Sequence, residues 1–258
     1  MAEHGPGHGE AGWPTVLLVA VALVAVTAYL VAVRRSRVTS GWPWWRSACW
    51  VAGAGLVLGG TTGPLAEAAH HDFAAHAVGH VLAGMAGPLL LVLGTPVTLA
   101  LRALPVAAGR RLSRLLACAP VRVVTAPAVA AVLDVGGLWL LYLTPLQALA
   151  REHEVVHLLV HVHLVLAGYL LTASLVGTDP MPHRPGPLHR AVVLVAAVAA
   201  HDVLAKLLYA HPPLGVGSHA EAGAVVMYYA GDAVEVVVMV LLCRRWFAAP
   251  RRLRWRAA

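Results

Sequence analysis

Charged side chains are scarce in this chain: Asp, Glu, Lys and Arg together make up only 12% of its 258 residues. Hydrophobic residues make up 59%, and the mean hydropathy is +0.74. Water-soluble domains carry roughly 25% charged residues, so this composition suits lipid better than water. It argues against a water-soluble protein and predicts an all-α integral membrane protein.

Cysteine is also rare. Cys49, Cys118 and Cys243 are the only three, and they lie far apart without a CxxC or CxxxC pair. This spacing supports neither a disulfide framework nor a thiolate metal site. Any bound metal is therefore expected to have nitrogen, oxygen or thioether ligands.

Long hydrophobic runs divide the chain into seven predicted spans, each near the length of about 20 residues that crosses the apolar part of a bilayer. The second run is short and glycine-rich, and we expect it to extend toward Glu67. The N-terminus lacks the basic region of a cleaved signal peptide, so the first span is expected to remain as a helix. The predicted domains are a flexible extracytoplasmic tail at 1–14, a transmembrane domain at 15–246 and a basic cytoplasmic tail at 247–258. The predicted transmembrane helices are Thr15–Val33, Ser47–Thr61, Val78–Leu101, Val123–Leu143, Val155–Val176, Ala191–Ala210 and Ala222–Cys243.

The net charge of +7 comes from arginines in short loops. In a soluble protein such a charge would suggest nucleic-acid binding, but beside membrane spans it reports orientation, because basic residues favour the cytoplasmic side. Apart from Arg151, every arginine falls on one side of a bundle of seven helices. We therefore expect the N-terminus outside, the C-terminus in the cytoplasm and no nucleic-acid partner.

Histidines are concentrated on the opposite side. Of the 15 histidines, only His183 and His189 fall on the cytoplasmic side of this topology. Two pairs, in helices three and five, have four-residue spacing, which places both rings of a pair on one helix face. Neutral imidazole is a good ligand for copper, zinc, iron and nickel. The sequence therefore predicts a metal site in an outward-opening cavity, with the ligands His76, His80, His157, His161 and His201.

Ionisable residues inside the spans are expected to face the bundle interior, because a charge facing lipid is costly. Asp202 and Lys206 are four residues apart and are placed for an intramembrane ion pair. An acidic side chain can also hold a ligand histidine in one tautomer. The residues predicted for such supporting or ion-pairing roles are Asp72, Asp134, His163, Asp202, Lys206, Asp232 and Glu235.

Several short motifs, taken together, resemble the polytopic CtaG family of cytochrome c oxidase assembly factors in its actinobacterial form. The resemblance runs from about helix two to the C-terminus. Family members often have methionine after the first histidine of the first motif, where this chain has Ala77, so a methionine-assisted copper site is not expected. The motifs are His76-Ala-Val-Gly-His80, the segment Gly87 to Pro96, the segment Gly137 to Pro145, His161-Val-His163, Ala167 to Leu170, Gly177-Thr-Asp-Pro180, His201-Asp202 with Lys206, and Tyr228 to Glu235.

The resemblance implies a non-catalytic metallochaperone in a bacterial plasma membrane, with several membrane passes. It implies that the chain binds copper and delivers it to subunits of a haem-copper terminal oxidase.

The residues themselves leave other functions open. A transporter for copper or another divalent metal is one alternative, with the acids of helices four, six and seven forming a path through the bilayer. A b-type cytochrome with paired histidines binding haem is another, and zinc is a further possible metal. A hydrolytic enzyme has the least support, since no nucleophile, base and acid set is visible.

Overall fold

The computed structural model describes residues 12–37, 41–212 and 219–254 of the chain. Most of the predicted N-terminal tail, residues 1–11, lies outside the described part, as do the last four residues of the predicted C-terminal tail. Within the described part all helices are α-helices except one π-helix, and no β-strand occurs. The α-helices are α1 (Trp13–Arg37), α2 (Trp44–Thr61), α3 (Gly63–Ala69), α4 (Phe73–His80), α5 (Gly87–Leu93), α6 (Pro96–Ala103), α7 (Val106–Ala117), α8 (Ala119–Val124), α9 (Pro127–Leu143), α10 (Leu146–Glu152), α11 (Glu154–Val176), α12 (Pro187–Ala210) and α13 (Ala220–Arg254).

Six helical segments of the described chain are long and apolar enough to cross a membrane. The second runs from Trp44 to Ala69, so its predicted extension toward Glu67 is confirmed. The last helix, α13, continues to Arg254, well beyond its predicted end at Cys243. The chain is thus a multi-pass, all-helical membrane protein.

The structure differs from the prediction at the fourth span, Val123–Leu143. Its helix α9 has 17 residues, and α10 follows it at an angle of 79°, so a seventh crossing exists only if this bent pair counts as one span. The break falls at Thr144, which is extended and precedes Pro145. A residue before proline is disfavoured in the α-helical region, which accounts for the bend.

The third span, Phe73–Ala103, lies at the centre of the bundle and is the most buried of the six. It contains α4, the π-helix Val81–Ala86, α5 and α6. Thr95 separates α5 from α6 in a left-handed conformation with φ 50°, and Pro96 begins the next helix. The central span is thus interrupted at Gly94, Thr95 and Pro96, and a π-helical turn directly follows His80.

The other spans surround this central one. Helices α2 and α11 pack against the π-helix and α5, while α13 packs against α4. Helix α9 lies between α11 and α12, and α12 packs on α13. Helix α1 contacts α2 and α6 and is little buried, as expected for a helix that faces lipid.

The segments Gly87 to Pro96 and Gly177 to Pro180 meet at the end of the bundle away from His76. The carboxylate of Asp179 accepts hydrogen bonds from the backbone N–H groups of Val97, at 3.1 Å, and Thr98, at 2.7 Å. It also accepts one from the Thr98 hydroxyl at 2.6 Å. These are unpaired donors at the N-terminus of α6, so Asp179 caps that helix from a distant part of the chain. Arg184 in turn donates to the backbone oxygens of Gly177 and Asp179.

Candidate metal-binding cavities

A cavity lined by histidines opens among α3, α4, the α9–α10 bend and α11. Its volume is about 70 Å³. The rest of its wall is mostly apolar, from residues such as Leu138 and Leu141, with Gln147 and Arg151 contributed by α10. We call it the outer cavity; the histidines on its wall are His70, His76, His80, His157 and His161.

The histidines of α11 lie side by side in the outer cavity because they are one helical turn apart. The ring centroids of His157 and His161 are 4.3 Å apart, and His70 stacks on His157 at 5.7 Å. Nδ1 of His161 lies 2.9 Å from the backbone oxygen of His157. A ring nitrogen facing a carbonyl oxygen must donate, so Nε2 of His161 keeps its lone pair for a ligand.

His76 is held from two sides. Its Nε2 lies 3.0 Å from the Tyr142 hydroxyl, and its ring is stacked on Phe73 with centroids 5.8 Å apart. The ring of Tyr142 is edge-on to Phe73. These contacts join α4 to α9 and orient the His76 ring at the cavity wall.

A second cavity, of about 50 Å³, lies deeper in the bundle among the π-helix, α9, α11, α12 and α13. We call it the inner cavity; its polar lining includes His80, Asp134, Thr172, His201 and Glu235. His80 lines both cavities, and its ring centroid is 6.1 Å from that of His201. Nδ1 of His201 lies 3.4 Å from Oε1 of Glu235.

Gly231 allows the close approach of α13 to His201. A Cβ at this position would lie 2.6 Å from Cε1 of the His201 ring. That distance is below any normal contact, so only glycine leaves room for the imidazole. The glycine of the Tyr228 to Glu235 motif thus helps to position the inner cavity.

The five predicted ligands do not form one cluster. His76, His157 and His161 line the outer cavity, His201 lines the inner one, and His80 stands between them. Among the described residues, the potential ligand atoms that lie within 4.8 Å of one another in a set of three or more belong to His201, Asp202 and Glu235. Asp202 and Glu235, predicted to play supporting roles, therefore lie beside His201 as potential ligands themselves.

The other predicted supporting residues lie in different settings. Asp134 lines the inner cavity, and Asp232 is close enough to Asp202 for a side-chain hydrogen bond. Asp72 caps α4 by accepting a hydrogen bond from the Ala74 N–H at 2.8 Å, and its other oxygen lies 3.4 Å from Nδ1 of His219. It does not support a predicted ligand.

His163 and Lys206 also differ from the prediction. His163 donates from Nε2 to the Leu133 backbone oxygen at 2.9 Å and so packs against α9, outside both cavities. Lys206 is exposed, and its ammonium nitrogen lies 4.9 Å from the centroid of the Tyr228 ring. The predicted ion pair with Asp202 is not formed in the described structure.

Sequence reasoning misses Tyr142 and Arg151 as residues of the outer cavity. They reach it from α9 and α10, on either side of the 79° bend. A straight helix would place the two residues far apart along its axis, so no spacing rule could bring them together. The Thr144-Pro145 break is the only sequence signal that could have suggested it.

Comparison with known proteins identifies the family to which this chain belongs. The model of a family described as cytochrome c oxidase caa3 assembly factor (Caa3_CtaG) matches residues 27–249. An uncharacterized protein of Mycobacterium leprae is 28% identical over an alignment of 261 positions, which covers 92% of this chain and 40% of that protein. An uncharacterized protein of Mycobacterium bovis is 34% identical over 170 residues, which cover 63% of this chain and 26% of that protein. The chain spans less than half the length of these curated relatives, and no solved structure matches it.

Proposed function

Because the chain belongs to the cytochrome c oxidase caa3 assembly factor family, we propose that it binds copper through histidines of the outer cavity and passes it to a haem-copper terminal oxidase. Copper is then cargo, and the role is non-catalytic. The protein acts in a bacterial plasma membrane, with its N-terminus and the outer cavity on the extracytoplasmic side. The one-sided distribution of arginines supports this orientation.

The observation that carries the proposal is the set of imidazoles on one cavity wall. His76, His157 and His161 come from two different helices and line one cavity of about 70 Å³. The cavity wall contains no cysteine, and the three cysteines of the chain are free. Imidazole nitrogen is therefore the ligand type available there, and it suits copper.

The ligand types of the outer cavity favour the singly charged cuprous ion. None of its lining residues is an Asp or Glu. Cu(I) accepts two or three nitrogen ligands without a carboxylate, which matches the lining residues.

The test is a titration of the purified full chain with Cu(I) in competition with a chromophoric chelator. We expect about one tightly bound Cu(I) per chain in the outer cavity. The variant His157→Ala/His161→Ala is expected to lose at least about 100-fold in affinity, since two ligands on one face are removed together.

The matched control is His183→Ala, which changes an exposed histidine in the loop between α11 and α12. It should bind Cu(I) as the unmodified chain does. If alanine at His76, His80, His157 and His161 together leaves copper binding unchanged, the proposed function is wrong.

A membrane transporter for metal ions is the second candidate, and one observation favours it. His80 lines both cavities, so the outer histidines and the buried acids are contiguous through a single side chain. Metal uptake into proteoliposomes that is abolished by Asp134→Asn would favour transport. Binding without any uptake would favour the assembly factor.

A further inference from the structure

Five buried polar atoms in or beside the inner cavity have no hydrogen-bond partner in the described part of the chain. Fully buried polar groups in native proteins are nearly always paired, because an unpaired one is destabilising. His201 is only 2% exposed and His80 only 6% exposed. The unpaired buried atoms here are Nε2 of His80, Nδ1 and Nε2 of His201, Oδ1 of Asp202 and Oε2 of Glu235.

These atoms have the geometry of a cation site. Ligand atoms of His201, Asp202 and Glu235 lie within 4.8 Å of one another. Nδ1 of His201 and Oε1 of Glu235 are 3.4 Å apart. Two ligand atoms bound to one tetrahedral ion at about 2.1 Å are themselves about 3.4 Å apart, so this pair needs little movement to bind an ion.

The surrounding charge also favours a cation, and a divalent one. No Lys or Arg is among the lining residues of the inner cavity, whereas Asp134 lies on its wall and Asp232 is next to Asp202. Lys206 is near Asp202, but it is exposed and its ammonium nitrogen lies 4.9 Å from the centroid of the Tyr228 ring. Asp134 and Glu235 have no Lys or Arg on the cavity wall, and buried acids in a membrane interior are costly unless protons or a metal ion neutralise them.

The space is sufficient for an ion with part of its hydration shell. The inner cavity has a volume of about 50 Å³, and one water needs about 10–15 Å³ of such volume. One imidazole and two carboxylates, with His80 facing them, form a mixed nitrogen and oxygen ligand set. Such a set suits divalent first-row transition metals, and it suits Cu(I) less well.

We propose that His201 and Glu235 of the inner cavity and the adjacent Asp202 form a second metal site for a divalent transition-metal ion, with His80 as a further ligand. This site is separate from the copper site proposed for the outer cavity. It differs in charge and in ligand type, and it does not require that the outer cavity bind copper.

The experiment uses Co²⁺ as the probe, because its visible absorption reports the coordination geometry and the absence of thiolate ligands. The purified full chain is titrated with Co²⁺, and bound metal is counted by elemental analysis. We expect one Co²⁺ per chain, displaced by Zn²⁺. Glu235→Gln and Asp202→Asn are each expected to weaken Co²⁺ binding at least about 100-fold, with an altered visible spectrum.

The matched control is Glu221→Gln, the same substitution at an exposed position of α13. It should bind Co²⁺ as the unmodified chain does. If Glu235→Gln fails to fold, Asp202→Asn and the stoichiometry of the unmodified chain still decide the matter. The proposal is overturned if the unmodified chain binds no stoichiometric Co²⁺, or if folded Glu235→Gln or Asp202→Asn protein binds it unchanged.

The two proposals can be tested independently of each other. His157→Ala/His161→Ala should lose Cu(I) and keep Co²⁺, while Glu235→Gln should lose Co²⁺ and keep Cu(I). Loss of both metals in either variant would mean that the cavities form one site, which contradicts the second site.

Discussion

The hydrogen bond between His76 and Tyr142 gives a direct test of how the outer cavity is organised. Nε2 of His76 lies 3.0 Å from the Tyr142 hydroxyl oxygen. If His76 is a ligand, Nε2 carries the proton and donates to the hydroxyl, which leaves the Nδ1 lone pair for the ion. Tyr142→Phe removes the acceptor, so the tautomer and the ring orientation are no longer held by this bond.

The expected loss of Cu(I) affinity depends on which contacts still orient the His76 ring in the Tyr142→Phe variant. Partners that orient a metal-binding histidine are worth about 10–100-fold in affinity. The His76 ring keeps its stacking on Phe73, at 5.8 Å between centroids. We therefore expect the lower end of that range, about tenfold in Cu(I) affinity, which corresponds to about 1.4 kcal/mol.

The assay is the chelator competition with Cu(I), run on the unmodified chain, Tyr142→Phe and Tyr229→Phe. Tyr229 is 68% exposed, so its variant controls for the loss of a phenolic hydroxyl elsewhere. Thermal unfolding in the same detergent checks the fold, for which one lost hydrogen bond is worth about 1 kcal/mol. Folded Tyr142→Phe protein with unchanged Cu(I) affinity would refute the assignment of His76 as a ligand oriented by Tyr142.

Two further predictions concern stability and are measured by thermal unfolding in detergent. Asp179→Ala removes the acceptor for the backbone N–H groups of Val97 and Thr98 and for the Thr98 hydroxyl, so we expect the free energy of unfolding to fall by about 2 kcal/mol or more. Thr178→Ala, at the exposed neighbouring position, should change it little. Gly168→Ala would bring a Cβ against the backbone oxygen of Gly84, and we expect about 1–3 kcal/mol of destabilisation from overpacking, whereas Gly136→Ala meets only a side-chain carbon at 3.7 Å. Equal unfolding temperatures within either pair would contradict the corresponding contact.

The motifs that carry the family resemblance contain both structural and polar parts. Gly94-Thr95-Pro96 and Gly177-Thr-Asp-Pro180 meet through the Asp179 cap. Gly231 makes room for His201. Their spacing in sequence gives no sign of these pairings, because each joins segments that are distant in the chain. The polar residues of the motifs are conspicuous in an apolar chain, so most of them could be recognised from the sequence as candidate site residues.

Much of the fold follows from local properties of the chain. Hydropathy and length predict membrane-spanning helices because each span must satisfy its own backbone groups and face lipid with apolar side chains. The interruption of the central span follows from proline and glycine, whose backbone effects are local. The bend at Thr144 and Pro145 also has a local cause, because the residue before proline disfavours the α-helical conformation. It was not predicted, since the continuous hydropathy of 123–143 indicates a membrane span and carries no information about a bend at its end.

The amino-acid sequence by itself determined the class of protein, the position of most spans and the identity of most polar residues in the bundle. Four-residue spacing correctly placed His157 beside His161, since one helix face is a local matter. The grouping of residues from different helices was decided only by the tertiary structure. The packing of α12 on α13 brought His201 to Glu235, so that His201 lines the inner cavity and not the outer one. That packing depends on side chains of the whole bundle, which no single segment encodes.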